Sequence, residues 1–468
     1  MRWKSGFAFA LMLGASLPAA AQETAGKTLD QLAPEIDALF AGFQSDQHVP
    51  GVVYGVVKDG KLAYVKGIGV QNIADKRPVT SDSLFRIASM TKAFTALSIL
   101  KLRDDGKLRL DDLAEQYVPE MKGWTYPTKD SPRIRVRDLL QHVGGLVTDD
   151  PWGDRQQILP QEDFTKMIAA GVPFSRVPQA AHEYSNFGYA LLGRIVTNAS
   201  GTEYTDYVRK TILTPLAMTS SGFDAPKAPK TRYALGYRWE NERWTAEPEM
   251  VDGAFNAMGG LQVSANDYAK WVAFLLSAWP ARDDPDTGPV RRATVREIAQ
   301  GLNFTSVVNR IGASGADACK QSRAYGMGWR VAQDCDLGLT LAHGGGYPGY
   351  GSHVMLMPDY GVAVFALSNR TYAGPSAPAW DAAVLMDKAG LLEARAVPVS
   401  PAVSVMFDAA RSAYAAGHLG PLDGRLAMNF LLDRSAGNWK AEFARLKAEV
   451  GECPAAEPLA PRGAMSTA

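Results

Sequence analysis

Apolar residues Leu29, Leu32, Ile36, Leu39, Phe40 and Phe43 recur at helical spacing, and Thr28 and Gln31 stand where a capping box would put them. The spacing predicts an amphipathic helix over residues 28–43. The pattern then changes to two β-rich runs, GVVYGVVKDGKLAYVKGIGV, joined through Asp59 and Gly60, which is a hairpin signal. From about 89 to 280 the chain reads as mostly helical. YALLGRIVTNASG ends in a glycine stop, and SANDYAKWVAFLLSAW starts on Ser264 and Asp267 as a cap. Strand patterns return in YGMGWRVAQ, LGLTLAHGG, GSHVMLMPD and YGVAVFALSN, with Asp359 and Gly361 bracketing the last turn, and a helix follows around 380–392. Strands at both ends need partners and find them in each other. The expected fold is α+β: an antiparallel sheet built from both chain ends and flanked by helices, with a mostly helical domain inserted.

Beyond VPVSP at 397–401, a linker by composition, VMFDAARSAYAA and WKAEFARLKAEV are helical in pattern, and PAAEPLAPRGAMSTA has the make-up of a loose tail. At the other end Arg2 and Lys4 precede an apolar stretch from Gly6 to Leu17 and then Ala19, Ala20 and Ala21, a small-residue cleavage site. The expected division is a signal peptide over 1–21, a main domain over 22–396, a C-terminal helical segment over 397–455 and a disordered tail over 456–468. The apolar leader is too short to span a bilayer and no second stretch of about 20 apolar residues follows. The expectation is a periplasmic or secreted protein with no membrane span in the mature chain.

Composition narrows the partners. In 468 residues, 49 basic and 49 acidic side chains cancel, so no electrostatic case exists for nucleic acid or an anionic membrane surface. A small-molecule, peptide or ester substrate is left. Three cysteines, Cys319, Cys335 and Cys453, make neither a disulfide framework nor a zinc ribbon. Cys319 and Cys335 flank a strand pattern and are either one bridge, worth about 3 kcal/mol, or free thiols.

The chemistry concentrates around FRIASMTKAF. Ser89 and Lys92 stand one helical turn apart where a loop enters a helix that Met90, Phe94, Leu97 and Leu100 drive into the core. There the backbone N–H groups are unpaired and the helix dipole is positive. Partial burial and that positive end both disfavour an ammonium, so Lys92 can serve as general base for Ser89, and the N–H of Ser89 can donate to an oxyanion. The bland alternative is a capping serine and a snorkelling lysine. A second Ser-x-x-Lys, Ser98 to Lys101, lies in mid-helix, where the hydroxyl bonds a carbonyl one turn back.

Tyr184-Ser185-Asn186 is the only Tyr-x-Asn in the chain and sits between the loop VPQAAHEY and a helix beginning near Phe187. A tyrosine can relay a proton to a leaving group, and an asparagine can hold both the lysine and a substrate carbonyl. His-x-Gly occurs three times. His142 reads as a helix stop, His418 lies in the helical appendage, and His343-Gly344-Gly345, followed by Gly346, is set among strands. Glycines at 345 and 346 let a substrate backbone approach the strand edge, and the N–H of Gly346 can complete an oxyanion hole. Trp152, Tyr347 and Tyr350 are candidates to line the cleft, with packing as the alternative. The run Gly344 to Gly349 fits G-x-G-x-x-G but precedes a strand, and His182-Glu183 lacks the second histidine of a zincin, so neither a dinucleotide nor a metal is expected.

In the order FRIASMTK, YSN and LAHGGGYPGYGSHVMLMPDYGVAVFALSN, with VRDLLQHVGGL between the first two, the chain resembles the serine β-lactamase and penicillin-binding protein family. Within it, the chain looks like class C β-lactamases, D-alanyl-D-alanine carboxypeptidases, D-aminopeptidases and related esterases, over roughly Leu32 to Leu392. The resemblance implies Ser89 as acylated nucleophile, Lys92 as its base, Tyr184 as proton relay, Asn186 as a positioning group, and His343 in place of the Lys-Thr-Gly lysine of class C β-lactamases. His-x-Gly there is similar to the peptidase branch. The implied activity is hydrolysis of a peptide or amide through an acyl-enzyme, without cofactor. The alternatives are a carboxylesterase, a class C-like β-lactamase, or a penicillin-binding protein that acylates without turning over.

Overall fold

The computed structural model describes residues 26–149, 152–311, 318–452, 461–463 and 466–467; the signal segment expected over 1–21 lies outside them. Thr28 caps α1 (Leu29–Asp46) through the reciprocal bonds with Gln31 that a capping box requires. Strands β1 (Gly51–Lys58) and β2 (Lys61–Asn72) form the expected hairpin, with Asp59 and Gly60 both at positive φ in its two-residue turn. Short strands β3 (Arg77–Pro78) and β4 (Leu84–Arg86) follow. The helical part holds α2 (Thr91–Asp104), α3 (Val136–Leu140), α4 (Trp152–Arg155), α5 (Gln161–Ala170), α6 (Asn186–Ser200) and α7 (Tyr204–Val208). Gly201 ends α6 in the left-handed conformation, as the glycine stop predicts.

Residues 89–280 are less uniformly helical than the pattern suggested. Strands β5 (Tyr237–Glu240) and β6 (Arg243–Ala246) pair as a hairpin, and β7 (Gln262–Ser264) pairs with β4. The turn between β5 and β6 places Asn241 and Glu242 at positive φ without a glycine, so the usual turn signal is missing. Helices α8 (Asn256–Gly259), α9 (Ala265–Leu276) and α10 (Arg292–Glu297) complete this part, α9 being capped by Ser264.

The remaining strands are β8 (Asn303–Asn309), β9 (Lys320–Tyr325), β10 (Arg330–Asp334), β11 (Gly338–Tyr347), β12 (Tyr350–Met357) and β13 (Val362–Ser368). YGMGWRVAQ is therefore the end of one strand, a turn with Gly328 at positive φ, and a second strand. Nine strands form one sheet in the order β3-β2-β1-β13-β12-β11-β10-β9-β8, each neighbouring pair antiparallel, so the first hairpin joins the last strand as expected. Cys319 and Cys335 are joined across the β9–β10 hairpin, and closing that loop contributes about 3 kcal/mol.

Two cores cover the sheet. On one face Phe85, Leu341, Val354 and Phe365 pack with α2, α6 and α9, where Phe94 stacks on Trp271 at 3.9 Å between ring centres. On the other, Val52, Val56, Met355 and Val364 pack under α1 and α11 (Ser376–Lys388). Past the linker, α12 (Pro401–Ala416), α13 (Phe430–Asp433) and α14 (Ala436–Val450) surround a small core of Ala413, Leu419 and Leu422. In the tail expected to be disordered, Pro461–Gly463 and Ser466–Thr467 pair as two short strands. Among the described residues no helix is long and apolar enough to cross a membrane.

Candidate active site

Ser89 lies in a single 3-10 turn, Ala88–Met90, that leads from β4 into α2. Ala88 is held at φ +49, a left-handed backbone that costs a residue bearing a Cβ about 1–2 kcal/mol. Its surroundings fix it there. The Ile87 carbonyl accepts the Ser352 hydroxyl at 2.8 Å, the Ile87 N–H donates to Leu261 O at 3.0 Å, and the Leu261 N–H donates to the Thr91 hydroxyl at 3.2 Å. A strained backbone pinned from three sides beside a serine is a feature of functional sites.

Lys92, fully buried at 0% exposure, points back one turn and places Nζ 3.0 Å from Ser89 Oγ, 2.7 Å from Asn186 Oδ1 and 2.8 Å from the Met258 carbonyl. Two of these are acceptors only. They hold two N–H bonds of the amine, and Ser89 Oγ lies within hydrogen-bond reach of Nζ, where a neutral amine can accept its proton. The Tyr184 hydroxyl donates to Ser89 Oγ at 2.9 Å from the loop that enters α6. Neither bland reading survives: Ser89 makes no helix-capping bond, and Lys92 does not reach solvent.

The α6 entry positions Tyr184 and Asn186. Ser185 is its N-cap, accepting the Gly188 N–H at 3.2 Å. The Asp149 carboxylate accepts the N–H groups of Asn186 and Phe187 at 2.6 and 2.8 Å, which anchors the backbone whose side chain holds Lys92. His142, which the sequence reads as a helix stop, lies under the site. Its Nδ1 accepts the Ser185 N–H at 3.2 Å and its ring packs 4.3 Å from that of Tyr184. The motif was visible, but its burial was not, because the aromatic neighbours Tyr184, Tyr189 and Tyr325 come from distant segments.

His343 lies behind Tyr184, ring centres 6.4 Å apart. Its Nδ1–H donates to Gly344 O at 2.7 Å, so Nε2 accepts the Tyr325 hydroxyl at 3.1 Å. Burial, reinforced by Arg330 and Lys92, holds its pKa well below the ordinary value, so the ring is neutral at neutral pH and supplies no fixed charge. That charge sits instead on Arg330, the exposed first residue of β10, which lines the same cleft and makes no ion pair among the described residues. Nothing in the run RVAQD marks it.

The cleft has a volume of about 510 Å³ and opens on Ser89, Tyr184, His343, Gly345, Gly346 and Arg330. Tyr347 faces Tyr350 across a two-residue turn, and antiparallel alternation then turns the backbone of Gly344 and Gly346 away from β12. Strand β10 covers β11 only as far as Ala342, leaving a free strand edge beside Ser89. The Gly346 N–H is therefore available to an oxyanion. Gly345 does other work than expected: a Cβ there would meet Ile87 O and Ser352 Oγ at 2.2 Å each, so its bareness lets β11 pack behind the turn that carries Ser89. Tyr347 and Tyr350 do not line the cleft. Both are buried, Tyr350 donating to Ala234 O at 2.8 Å, because they alternate onto the core face of the sheet. The side chain of Trp152 lies outside the described residues.

Cys319, Asp334, Cys335 and Asp336 lie close enough together to suggest an ion site. The sulfurs are bonded to each other, and Arg310 pairs with both carboxylates at 2.9 and 2.8 Å.

Ser98 tests the choice of serine. Its hydroxyl donates to Phe94 O at 2.9 Å, and Lys101 pairs with Asp105 at 2.6 Å, so Ser98→Ala is expected to leave kcat/KM within about twofold. A large loss of activity with an unchanged melting temperature would transfer the nucleophile to Ser98.

Acid is expected to destabilise the fold through its histidines. Burial lowers the pKa of His142 and His343 well below 6.5 and that of His353 to about 4. Below 6.5 the unfolded chain binds these protons and the folded chain does not. Stability is thus fully present above 6.5 and falls by about 1.4 kcal/mol per histidine per pH unit until each folded-state pKa is reached. Melting temperatures at pH 7.5 and pH 5 should differ by many degrees; a flat profile would mean that folding does not lower the pKa of these rings.

The family model Beta-lactamase matches residues 36–386. The chain is 29% identical over 348 residues to Protein flp of Staphylococcus aureus (strain COL), covering 72% of this chain and 64% of that protein. It is 33% identical over 273 residues to Beta-lactamase-like protein 2 of Dictyostelium discoideum, covering 56% and 48%. The chain thus spans less than two thirds of the length of these relatives. Its fold is similar to that of the octameric penicillin-binding protein homologue from Pyrococcus abyssi, with a TM-score of 0.63 at 24% identity over 76% of this chain and 77% of that one. A class C beta-lactamase superposes with a TM-score of 0.60 at 20% identity over 79% and 99%.

Proposed function

The chain belongs to the beta-lactamase family, and from that premise we propose that it is an exported serine hydrolase that cleaves carboxylate-terminated peptides or amides through an acyl-enzyme. The observation that carries the reading is the convergence of Lys92 Nζ and the Tyr184 hydroxyl on Ser89 Oγ beside a free strand edge.

In the proposed reaction, Lys92 Nζ takes the proton of Ser89 as Oγ attacks the carbonyl carbon. The N–H groups of Ser89 and Gly346 hold the oxyanion. The intermediate collapses with cleavage of the C–N bond, Tyr184 protonates the departing nitrogen, and the Lys92 ammonium returns its proton to the phenolate without passing through Oγ, which is now an ester oxygen. Water then attacks the ester and releases Ser89. Asn186 fixes the amine, and the substrate lies along the edge of β11. A terminal carboxylate is favoured because Arg330, at the mouth of the cleft, makes no ion pair among the described residues, whereas His343 is neutral. Export is supported by the leader pattern and by the Cys319–Cys335 bond, since disulfides persist in oxidising compartments.

Two measurements test this. Intact mass after incubation with benzylpenicillin should show one acyl adduct, absent from Ser89→Ala. A peptide ending in D-alanyl-D-alanine should be hydrolysed, and its C-terminal amide at least about tenfold more slowly, since it lacks the charge for Arg330. Absence of both adduct and peptide cleavage, with hydrolysis of simple esters, would replace this reading by an esterase. An adduct without turnover would replace it by a binding protein that stalls.

A further inference from the structure

Behind the strand edge lies a second cavity of about 260 Å³, on the opposite face of the sheet from Ser89. Val331, Ala332, Thr340, Ala342 and Trp380 give it a largely apolar wall. It is not separate from the catalytic cleft. Arg330, Gly344, His353 and Ser376 line both, and Gly344 sets no side chain between them. A Cβ at Gly344 would point to His353 and meet nothing nearer than 3.7 Å, so the glycine is not imposed by crowding.

The basic groups of this cavity have no acidic partner among the described residues. His353 is 6% exposed, and its Nε2 is buried without a hydrogen-bond partner among the described residues. Arg323 donates from Nε and Nη2 to Gln321 Oε1 at 2.9 and 2.7 Å, a neutral acceptor. Asp334, four residues after Arg330 in the chain, is occupied by Arg310 and Gln321. Neither Arg323 nor Arg330 makes an ion pair among the described residues, so two guanidinium groups face one apolar space with no anion between them. Unpaired charge in a partly dry cavity is stabilised by a ligand of opposite sign.

We propose that this cavity receives the side chain of the residue released from the acyl-enzyme and that this side chain is acidic. The leaving group is then a dicarboxylic amino acid. Its main-chain carboxylate lies at Arg330, its methylenes cross the bare edge at Gly344, and its second carboxylate is held by Arg323 with His353 beside it. This rests on the hydrolase reading for the identity of the group, but the cavity's preference is measurable without turnover.

The test uses the full chain carrying Ser89→Ala, with N-acetyl-D-alanyl-D-glutamate and N-acetyl-D-alanyl-D-norvaline titrated calorimetrically, and with the L-terminal isomers in parallel. The two side chains differ in the terminal carboxylate. The glutamate peptide is expected to bind about tenfold tighter or more in at least one stereochemical series. Adding Arg323→Gln should erase that preference while leaving the norvaline affinity unchanged, and adding Gly344→Ala should erase it by narrowing the passage. Equal affinities, binding of neither peptide, or a preference that survives Arg323→Gln in a variant with an unchanged melting temperature would overturn the inference. A glutamate preference without a benzylpenicillin adduct or peptide cleavage in the wild type would instead sink the hydrolase reading and leave the cavity's specificity standing.

Discussion

Ser89→Ala is expected to lower kcat/KM by about 100,000-fold and to abolish the acyl adduct while leaving the melting temperature within about 2 °C of wild type. The large loss follows because the residue supplies the bond-forming atom, and removing a nucleophile from a cooperating set costs nearly all of the set's contribution. The small stability change follows from its surroundings. Ser89 Oγ makes no helix cap, and the hydrogen bonds that pin the strained turn belong to Ile87, Thr91, Leu261 and Ser352. Steady-state kinetics with any substrate the wild type turns over, together with thermal unfolding, check both halves. Retention of even a tenth of the activity would remove Ser89 from the role.

Lys92→Ala is expected to behave differently on the second axis. Turnover should fall by about 1,000- to 10,000-fold, the usual contribution of a positioned general base. Here the fold should suffer as well. The truncation removes the Lys92 donor from Asn186 Oδ1 and the Met258 carbonyl and opens a space where a fully buried side chain stood, at about 2–4 kcal/mol in all. Lys92→Arg should not restore activity, because a guanidinium does not give up its proton at working pH. Kinetics beside denaturant titration separate the two variants: Ser89→Ala loses rate alone, and Lys92→Ala loses rate and stability. A stable Lys92→Ala protein with normal turnover would mean that the Ser89 proton leaves by another route.

The contrast between the two serines shows how far local pattern reaches. Ser89 and Ser98 carry the same Ser-x-x-Lys spelling, and helix position already separates them in the sequence; Asn186, Tyr184 and Met258 then supply a physical environment for one and only a backbone carbonyl for the other. His142 shows the limit. Its place after α3 is legible, but its burial beneath Tyr184 depends on segments 40 to 180 residues away. Tyr347 and Tyr350 flank a legible turn, yet which face of the sheet they take depends on register, and one residue of shift would have turned them to the opposite face.

By itself the sequence determined what is settled by near neighbours and by the order of motifs. The capping box at Thr28, the turn at Asp59 and Gly60, the stop at Gly201, the family, and the one-turn spacing of Ser89 and Lys92 all rest on interactions within a turn or two, or on residue types in a fixed succession. Only the tertiary structure decided the charge state of His343, the free edge of β11, the anchoring of α6 by Asp149, the packing role of Gly345, and the pair of unpaired arginines behind the cleft. Each of these is a statement about desolvation or about which groups lack partners. Such properties arise from everything that folds around a residue, and no window of neighbouring letters contains them.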